Sequence, residues 1–423
     1  MFIRSVQIRN IRSLAALDWR LPESASGAGW HVIVGDNGTG KSSFLKALGL
    51  ALVGPILARA LRQPLQQWVT YGETTASVAF DFGSRAPADR VVESKSKAKQ
   101  WDYELKLHVR GMTSRLGASG IFNRESGLDS PGNGFSASFG PFRRFRGGDP
   151  ELQLLMRSEP LLGRHLSLFD ESVAFGECVA WLKELKFKSF EKDAPGAILK
   201  PLIDFINQDG FLPDSTCLTD ITSDAVRFLD GKGATVEIDN LSDGYRSILS
   251  LTLELIRQLA QAFGPDKVFD KKRPNTVTPA GVVLIDEIDA HLHPTWQRRV
   301  GEWFRTRFPN IQFIVTTHSP IICQAANPGS VYRLPRPGTD EKGRFIKGHE
   351  LKRLLYGSIE EAYGTEVFGD GITRSTASLA MLDELAALNV RELDEELTAV
   401  EKTRLKELRS ILPTVAYTTA NGK

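Results

Sequence analysis

Four groups of residues in this chain are of types and in an order that could do chemistry on a nucleoside triphosphate. The first is Gly35-Asp36-Asn37-Gly38-Thr39-Gly40-Lys41-Ser42, which fits the phosphate-loop pattern GxxxxGK[ST]. A glycine-rich turn lets backbone N–H groups close around phosphate oxygens, and a following helix adds the favourable charge of its N-terminus. Lys41 is placed to reach β- and γ-phosphates, and Ser42 to ligate Mg²⁺. Asn37, Gly38, Gly40 and Ser43 complete the expected cofactor contacts. The flanks agree with this: Trp30–Val34 reads as a short buried strand, and Phe44 onward as a helix.

The second group ends the apolar run Val282–Ile285, too short for anything but a core strand. It delivers Asp286 and Glu287 to a strand's C-terminal end, where ligands bind in parallel α/β sheets. Asp286 is expected to hold Mg²⁺ through water, and Glu287 to polarise an attacking water. The third is His318, carried to the same edge by a second core strand, Phe313–Thr317. A neutral imidazole there can hydrogen-bond the γ-phosphate or the attacking water. The fourth is Leu241-Ser242-Asp243-Gly244, just before the helical stretch Tyr245–Phe263. Ser242 makes a good N-cap, and Gly244 permits close approach of a phosphate to the helix start.

In this order the four groups resemble the Walker A loop, signature loop, Walker B segment with its catalytic Glu, and switch histidine of the ABC-type ATPase superfamily. The resemblance is to its soluble branch and covers about residues 1–335. It implies an ATP- and Mg²⁺-dependent ATPase that forms a head-to-tail dimer or a higher oligomer. In such a dimer Ser242 and Gly244 of one subunit complete the site of another. The run Asp286–Gln297, DEIDAHLHPTWQ, looks like AAA-labelled ABC ATPases, relatives of SMC, DNA-repair and OLD-type proteins. The pair His291 and His293 lacks the i, i+4 spacing of a helical metal motif. The whole chain is similar to the ATPase subunit of Septu-type and retron-associated anti-phage systems. That likeness rests on LSDGYRS at 241–247, FGPFRR at 139–144, and the tail from Leu354 through Glu366 to Gly369. The superfamily places a Gln near residues 139–144 that touches Mg²⁺. None stands there, so either Gln153 is displaced or an Arg or a backbone group takes its place.

The elements that must position these groups follow. The expected fold class is α/β: an ABC-type P-loop ATPase with a mixed sheet, an antiparallel β-subdomain, a helical lobe and a C-terminal helical hairpin. The ATPase domain is expected over 1–349, with the lobe at about 147–222, and a separate tail over 350–423. Residues 1–34, 75–82 and 101–110 alternate as antiparallel strands. Residues 111–138, rich in Gly, Ser and Asn, read as a long loop. Segments 225–229 and 234–238 read as a strand pair, and 264–280 as an exposed loop. In the tail, a helix over 375–389 and one after the capping box at Thr398 form a hairpin joined by roughly eight residues. Leu405, Leu408, Ile411 and Leu412 lie on one face of the second helix.

Composition narrows the setting. With 423 residues, 41% hydrophobic and 25% charged, the chain is ordinary globular material, and its net charge of +2 exerts no overall pull on nucleic acid or membrane. Cys178, Cys217 and Cys323 have no paired spacing, which fits a reducing cytoplasm. No apolar run reaches the roughly 20 residues of a membrane span. Two basic stretches, Lys95, Lys97, Lys99 and Arg143, Arg144, Arg146, are candidate nucleic-acid contacts, the second with Phe142 and Phe145 as stacking platforms. The expected role is an ATPase that regulates a partner nuclease, HNH-type or other, docked on the tail. The rival readings are a DNA-repair ATPase acting on DNA ends and a slow nucleotide sensor or scaffold.

Overall fold

In the computed structural model, the described residues are 2–412 apart from 24, 83–102, 111–112, 121–133, 192–193, 274, 340, 359–361, 363–364, 366, 369–375 and 395. Lys95, Lys97, Lys99 and Trp101 lie outside them, as does Glu366. Fourteen strands are described: β1 (Ile3–Ile11), β2 (Leu14–Arg20), β3 (Gly29–Val34), β4 (Thr75–Phe82), β5 (Tyr103–Arg110), β6 (Thr113–Gly120), β7 (Phe135–Phe139), β8 (Cys217–Ile221), β9 (Val226–Leu229), β10 (Thr235–Glu237), β11 (Gly281–Ile285), β12 (Ile311–Thr316), β13 (Gly329–Arg333) and β14 (Arg344–Phe345). Among the described residues they form three sheets, ordered β2-β1-β4-β5-β6, β10-β9-β8 and β14-β13-β3-β12-β11-β7.

The last sheet is parallel from β13 to β7, with β14 antiparallel at its edge. Its central strands are apolar and buried, as a sheet covered on its faces requires. Register sets the site. Ile285 of β11 lies beside Phe139 of β7 and Val315 of β12, and Thr316 of β12 lies beside Ile33 of β3. Four strands therefore end together at one edge.

The helices are α1 (Lys41–Val53), α2 (Pro150–Ser158), α3 (Pro160–Gly163), α4 (Leu166–Phe169), α5 (Gly176–Phe190), α6 (Leu199–Ile206), α7 (Asp243–Phe263), α8 (Pro294–Arg307), α9 (Pro320–Cys323) and α10 (Gly348–Tyr356), followed by two tail helices, Thr376–Asp394 and Ala399–Ile411. An aromatic cluster ties the parallel sheet to α8 and α6. Trp30 meets Phe313 at 5.5 Å, Phe304 meets Phe313 at 5.3 Å, and Trp303 meets Phe205 at 5.3 Å and Phe211 at 4.4 Å. The described residues thus form an α/β fold, with one mixed sheet, two antiparallel sheets and a set of helices between β7 and β8.

Several expectations need correction. The loop expected over 111–138 contains β6, paired along its length with β5, and the fully buried β7. The polar composition of β7 misleads because Ser136 and Ser138 meet buried His165, at 3.2 and 2.7 Å, while Phe135, Ala137 and Phe139 fill the core. The segment 264–280 is not simply exposed, since Val268 and Val277 are fully buried. The strand pair 225–238 gains β8 as a third member.

The tail does not separate at Glu350. Leu354, Ala362, Val367 and Phe368 belong to the main core, whereas Leu385, Leu388, Leu397, Leu405, Leu408 and Leu412 form a second, distinct cluster. The connection between the tail helices is 395–398, shorter than expected because the first helix runs on to Asp394. Thr398 and Glu401 form the expected capping box. Ile411 faces outward at 54% exposure, off the buried stripe.

Candidate nucleotide site

The phosphate loop runs from the end of β3 into α1. Gly40, at the N-cap of α1, has φ 93°, and a Cβ there would meet Ser13 Oγ at 2.8 Å, so only glycine fits without strain. The start of α1 has no side-chain cap and no acidic residue in its first turn. Its free N–H groups and positive dipole end form a receptive surface for an anion. Asn37 and Gly38 are exposed, and Ser42 and Ser43 are half-buried on the first turn. The Lys41 ammonium donates to the carbonyls of Gly35 at 2.7 Å and Asp36 at 3.0 Å. Burial lowers its pKa, opposed by the negative charge of Glu287, Asp286, Asp36 and Asp289.

At the end of β11, Asp286 is buried and Glu287 half-buried. Thr316 donates its hydroxyl to Asp286 Oδ1 at 2.5 Å and accepts the Glu287 N–H at 2.8 Å. Glu287 has φ 45°, a left-handed conformation uncommon for a side chain of this kind. His318 follows β12 and is exposed as a residue, and partial burial of its ring, then the charge of Lys41, lower its pKa. Asp289 accepts from Thr317 Oγ1 at 2.6 Å and from the His318 N–H at 3.4 Å, tying the segment after β11 to the one after β12. Sequence reasoning missed Thr316, Thr317 and Asp289. The visible signal was two hydroxyls between an apolar strand and His318.

Oxygen donors suit Mg²⁺, and the residues fit that ion: the Ser42 hydroxyl lies on the loop helix, and Asp286 keeps Oδ2 without a hydrogen bond among the described residues. The anion-receptive start of α1 fits the phosphates.

Ser242 occupies the N-cap position of α7, but its hydroxyl makes no capping bond and is exposed. Gly244 abuts the loop after β11, where a Cβ would lie 3.0 Å from the His291 carbonyl. Ser242 at the N-cap and Gly244 in the first turn of α7 thus make no hydrogen bond to the phosphate loop among the described residues. His293 caps α8, its Nδ1 accepting the Thr295 N–H at 3.3 Å, which gives it a structural task.

The basic-aromatic patch does not form. Arg143 and Phe145 are buried, Arg144 bonds the carbonyls of Gly147 and Glu171, and Arg146 pairs with Asp239 at 2.6 Å, leaving Phe142 exposed. Gln153 lies on α2, half-buried, whereas Arg143 is the side chain that reaches the end of β11. No described helix is long and apolar enough to cross a membrane.

Comparison with known proteins finds several likenesses. A family described as "AAA domain, putative AbiEii toxin, Type IV TA system" matches residues 142–324, and one described as "AAA domain" matches residues 5–127. The Septu protein PtuA of Bacillus mycoides is 26% identical over 86% of this chain and 45% of its own length. The retron Ec83 probable ATPase of Escherichia coli is 35% identical over 32% of this chain and 23% of its own length. The chain therefore spans less than half the length of these curated relatives. An SMC head bound to the C-winged helix domain of ScpA aligns with TM-score 0.48 at 16% identity, over 84% of this chain and 100% of that one. The chain is thus similar to AAA-domain families and to Septu and retron ATPases, as the motifs led one to expect.

Proposed function

We propose that this chain binds ATP with Mg²⁺ and hydrolyses it in a head-to-tail dimer, and that this cycle regulates a nuclease partner in anti-phage defence. The observation that carries the proposal is the shared strand edge, where Lys41, Asp286, Glu287 and His318 meet. Lys41 and the first turn of α1 bind and orient the phosphates. Ser42 and Asp286 would hold Mg²⁺, which neutralises phosphate charge when bound. Glu287 accepts the proton of the attacking water, and His318 orients that water or the γ-phosphate. Ser242 and Gly244, which make no hydrogen bond to their own phosphate loop among the described residues, serve a partner copy's site.

The ATPase unit in this reading extends through Phe368, and the hairpin from Thr376 is the docking unit. Its exposed apolar side chains Val390 and Leu393, late in the first tail helix, and Val400, early in the second, would meet the nuclease. Burial of Arg143 and Phe145 removes those two side chains as nucleic-acid contacts. The test is nucleotide binding by the full chain. Lys41→Ala abolishes ATP binding while the thermal transition stays cooperative. Retained micromolar affinity in that variant contradicts the site.

A further inference from the structure

We propose that Arg143 is a positioning residue that couples the helix carrying Ser242 and Gly244 to the backbone of Glu287. The inference rests on the functional reading above and concerns how its two half-sites communicate within one chain. Arg143 follows β7, the strand beside β11. Its Nη1 donates to the Asp286 carbonyl at 3.1 Å and the Gly140 carbonyl at 3.3 Å. Its Nη2 donates to the Glu287 carbonyl at 3.0 Å and the Ile288 carbonyl at 3.5 Å. Its Nε donates to Ser247 Oγ on α7 at 2.9 Å.

One guanidinium therefore grips the segment that carries both acidic residues and, with its remaining donor, the helix that starts at the signature loop. The conformation of Glu287 makes this grip consequential. Left-handed backbone at such a residue is strained and persists only where the surroundings over-determine it. Here its N–H is held by Thr316 and its C=O by Arg143, so the peptide is clamped from both sides.

The placement is costly for a cation. Arg143 is buried, and its hydrogen bonds among the described residues end on carbonyls and one hydroxyl, with no carboxylate among them. Burial pushes its pKa down to about 10, against the pull of Asp289, Asp286 and Glu287. An apolar side chain would fill the space without that penalty. What it could not do is join α7 to the β11 edge. Ser247 stands three residues after Gly244, on the same helix face. A displacement of the first turn of α7, when a phosphate held by a second copy of this chain settles on it, is thus passed through the guanidinium to the Glu287 carbonyl. Arg143 stands where the family pattern would place a Gln, and it links the two half-sites through backbone.

The experiment compares full-length wild type with Glu287→Gln, Ser247→Ala, Ser247→Thr, Arg143→Lys and the Ser247→Ala/Arg143→Lys double variant. The readouts are kcat and KM for Mg·ATP, affinity for a fluorescent ATP analogue, thermal midpoint, and hydrogen exchange at the amides of Glu287 and Ile288 without nucleotide. Loss of one charge-assisted hydrogen bond predicts a fall in kcat of about tenfold for Ser247→Ala. KM and analogue affinity stay near wild type, because neither the phosphate loop nor the carbonyl clamp is cut, while the midpoint falls because the buried Nε donor is left unpaired in Ser247→Ala but not in Ser247→Thr. Ser247→Thr, which keeps the hydroxyl, retains kcat. The double variant loses no more kcat than Arg143→Lys alone, since both changes cut one link.

Unchanged kcat in Ser247→Ala, or additive losses in the double variant, overturns the coupling. If wild type fails to hydrolyse ATP, or Glu287→Gln matches it, the functional reading is what has failed. The exchange measurement then judges the link alone: faster exchange at 287–288 in Ser247→Ala supports it, and unaltered exchange refutes it.

Discussion

Thr316 donates its hydroxyl to Asp286 Oδ1 at 2.5 Å, and the same oxygen accepts the backbone N–H of Glu287 at 2.8 Å. One side chain at the end of β12 therefore fixes both acidic residues at the end of β11. It aligns the Asp286 carboxylate and holds one face of the left-handed Glu287 peptide. Valine matches its shape but offers neither donor nor acceptor. Thr316→Val is expected to lose about 1–3 kcal/mol of stability by denaturant unfolding, the cost of a buried polar group left unpaired. Its ATP hydrolysis falls more than its ATP affinity, and Thr316→Ser retains both. A valine variant with undiminished turnover would show that this bond does not position the acids.

Acid sensitivity follows from two buried histidines. His31 contacts Ser330 Oγ at 3.0 Å and the Gly27 carbonyl at 3.1 Å, and burial pushes its pKa down to about 4. His165, between Ser136 and Ser138, is pushed down to about 3 by burial, with Arg164 adding to the effect. Both are neutral when folded, whereas unfolded histidine titrates at 6.5. Between 6.5 and about 4 the unfolded chain binds more protons, so stability rises with pH across that window and is fully present above it. Chemical denaturation over this range should show that slope, and His165→Gln should flatten it. An equal slope in the variant would assign the acid sensitivity elsewhere.

The legible parts of this chain were those where local pattern and chemistry coincide. The phosphate loop, Asp286, Glu287 and His318 sit on short apolar strands whose ends the sheet aligns, so motif and strand point to one place. β7 was illegible because its alternate serines are satisfied by His165, a partner from a distant segment. Arg143 reads as surface charge in sequence. Only tertiary structure reveals the four carbonyls and the hydroxyl that accept it. In the tail, leucine spacing marks the hairpin, but not that Leu385 is buried while Leu393 is 87% exposed.

Site sharing predicts a mixing result. Ser242 is exposed with an uncommitted hydroxyl, so Ser242→Arg obstructs a partner's phosphate without disturbing its own core. Ser242→Arg and Lys41→Ala each abolish hydrolysis alone. Mixed together they recover part of it, because one site in the heterodimer regains an intact loop and an intact signature. Heterodimers that form yet remain inactive count against the trans arrangement.

The tail prediction uses the observed core boundary. Deleting residues 376–423 leaves Leu354, Val367 and Phe368 in the main core, so the remaining chain is expected to stay folded and bind ATP but to lose capture of the proposed nuclease partner. Leu393→Glu with Val400→Glu does the same within the intact chain, since both side chains are exposed. Leu385→Glu instead unfolds the hairpin, because that residue is in its buried cluster. Co-purification with the nuclease and nucleotide titration read out all three. A truncated chain that still captures the nuclease eliminates the hairpin as its dock.

The central claim is that the strand edge holding Lys41, Asp286, Glu287 and His318 hydrolyses ATP. The most direct measurement is phosphate release by purified wild type and Glu287→Gln under saturating Mg·ATP, with the mass of each species in solution. The account predicts that the glutamine variant binds ATP normally, accumulates as an ATP-bound dimer, and releases phosphate at least about 10²-fold more slowly. Equal rates of release from the two proteins would place the catalytic base elsewhere and contradict it.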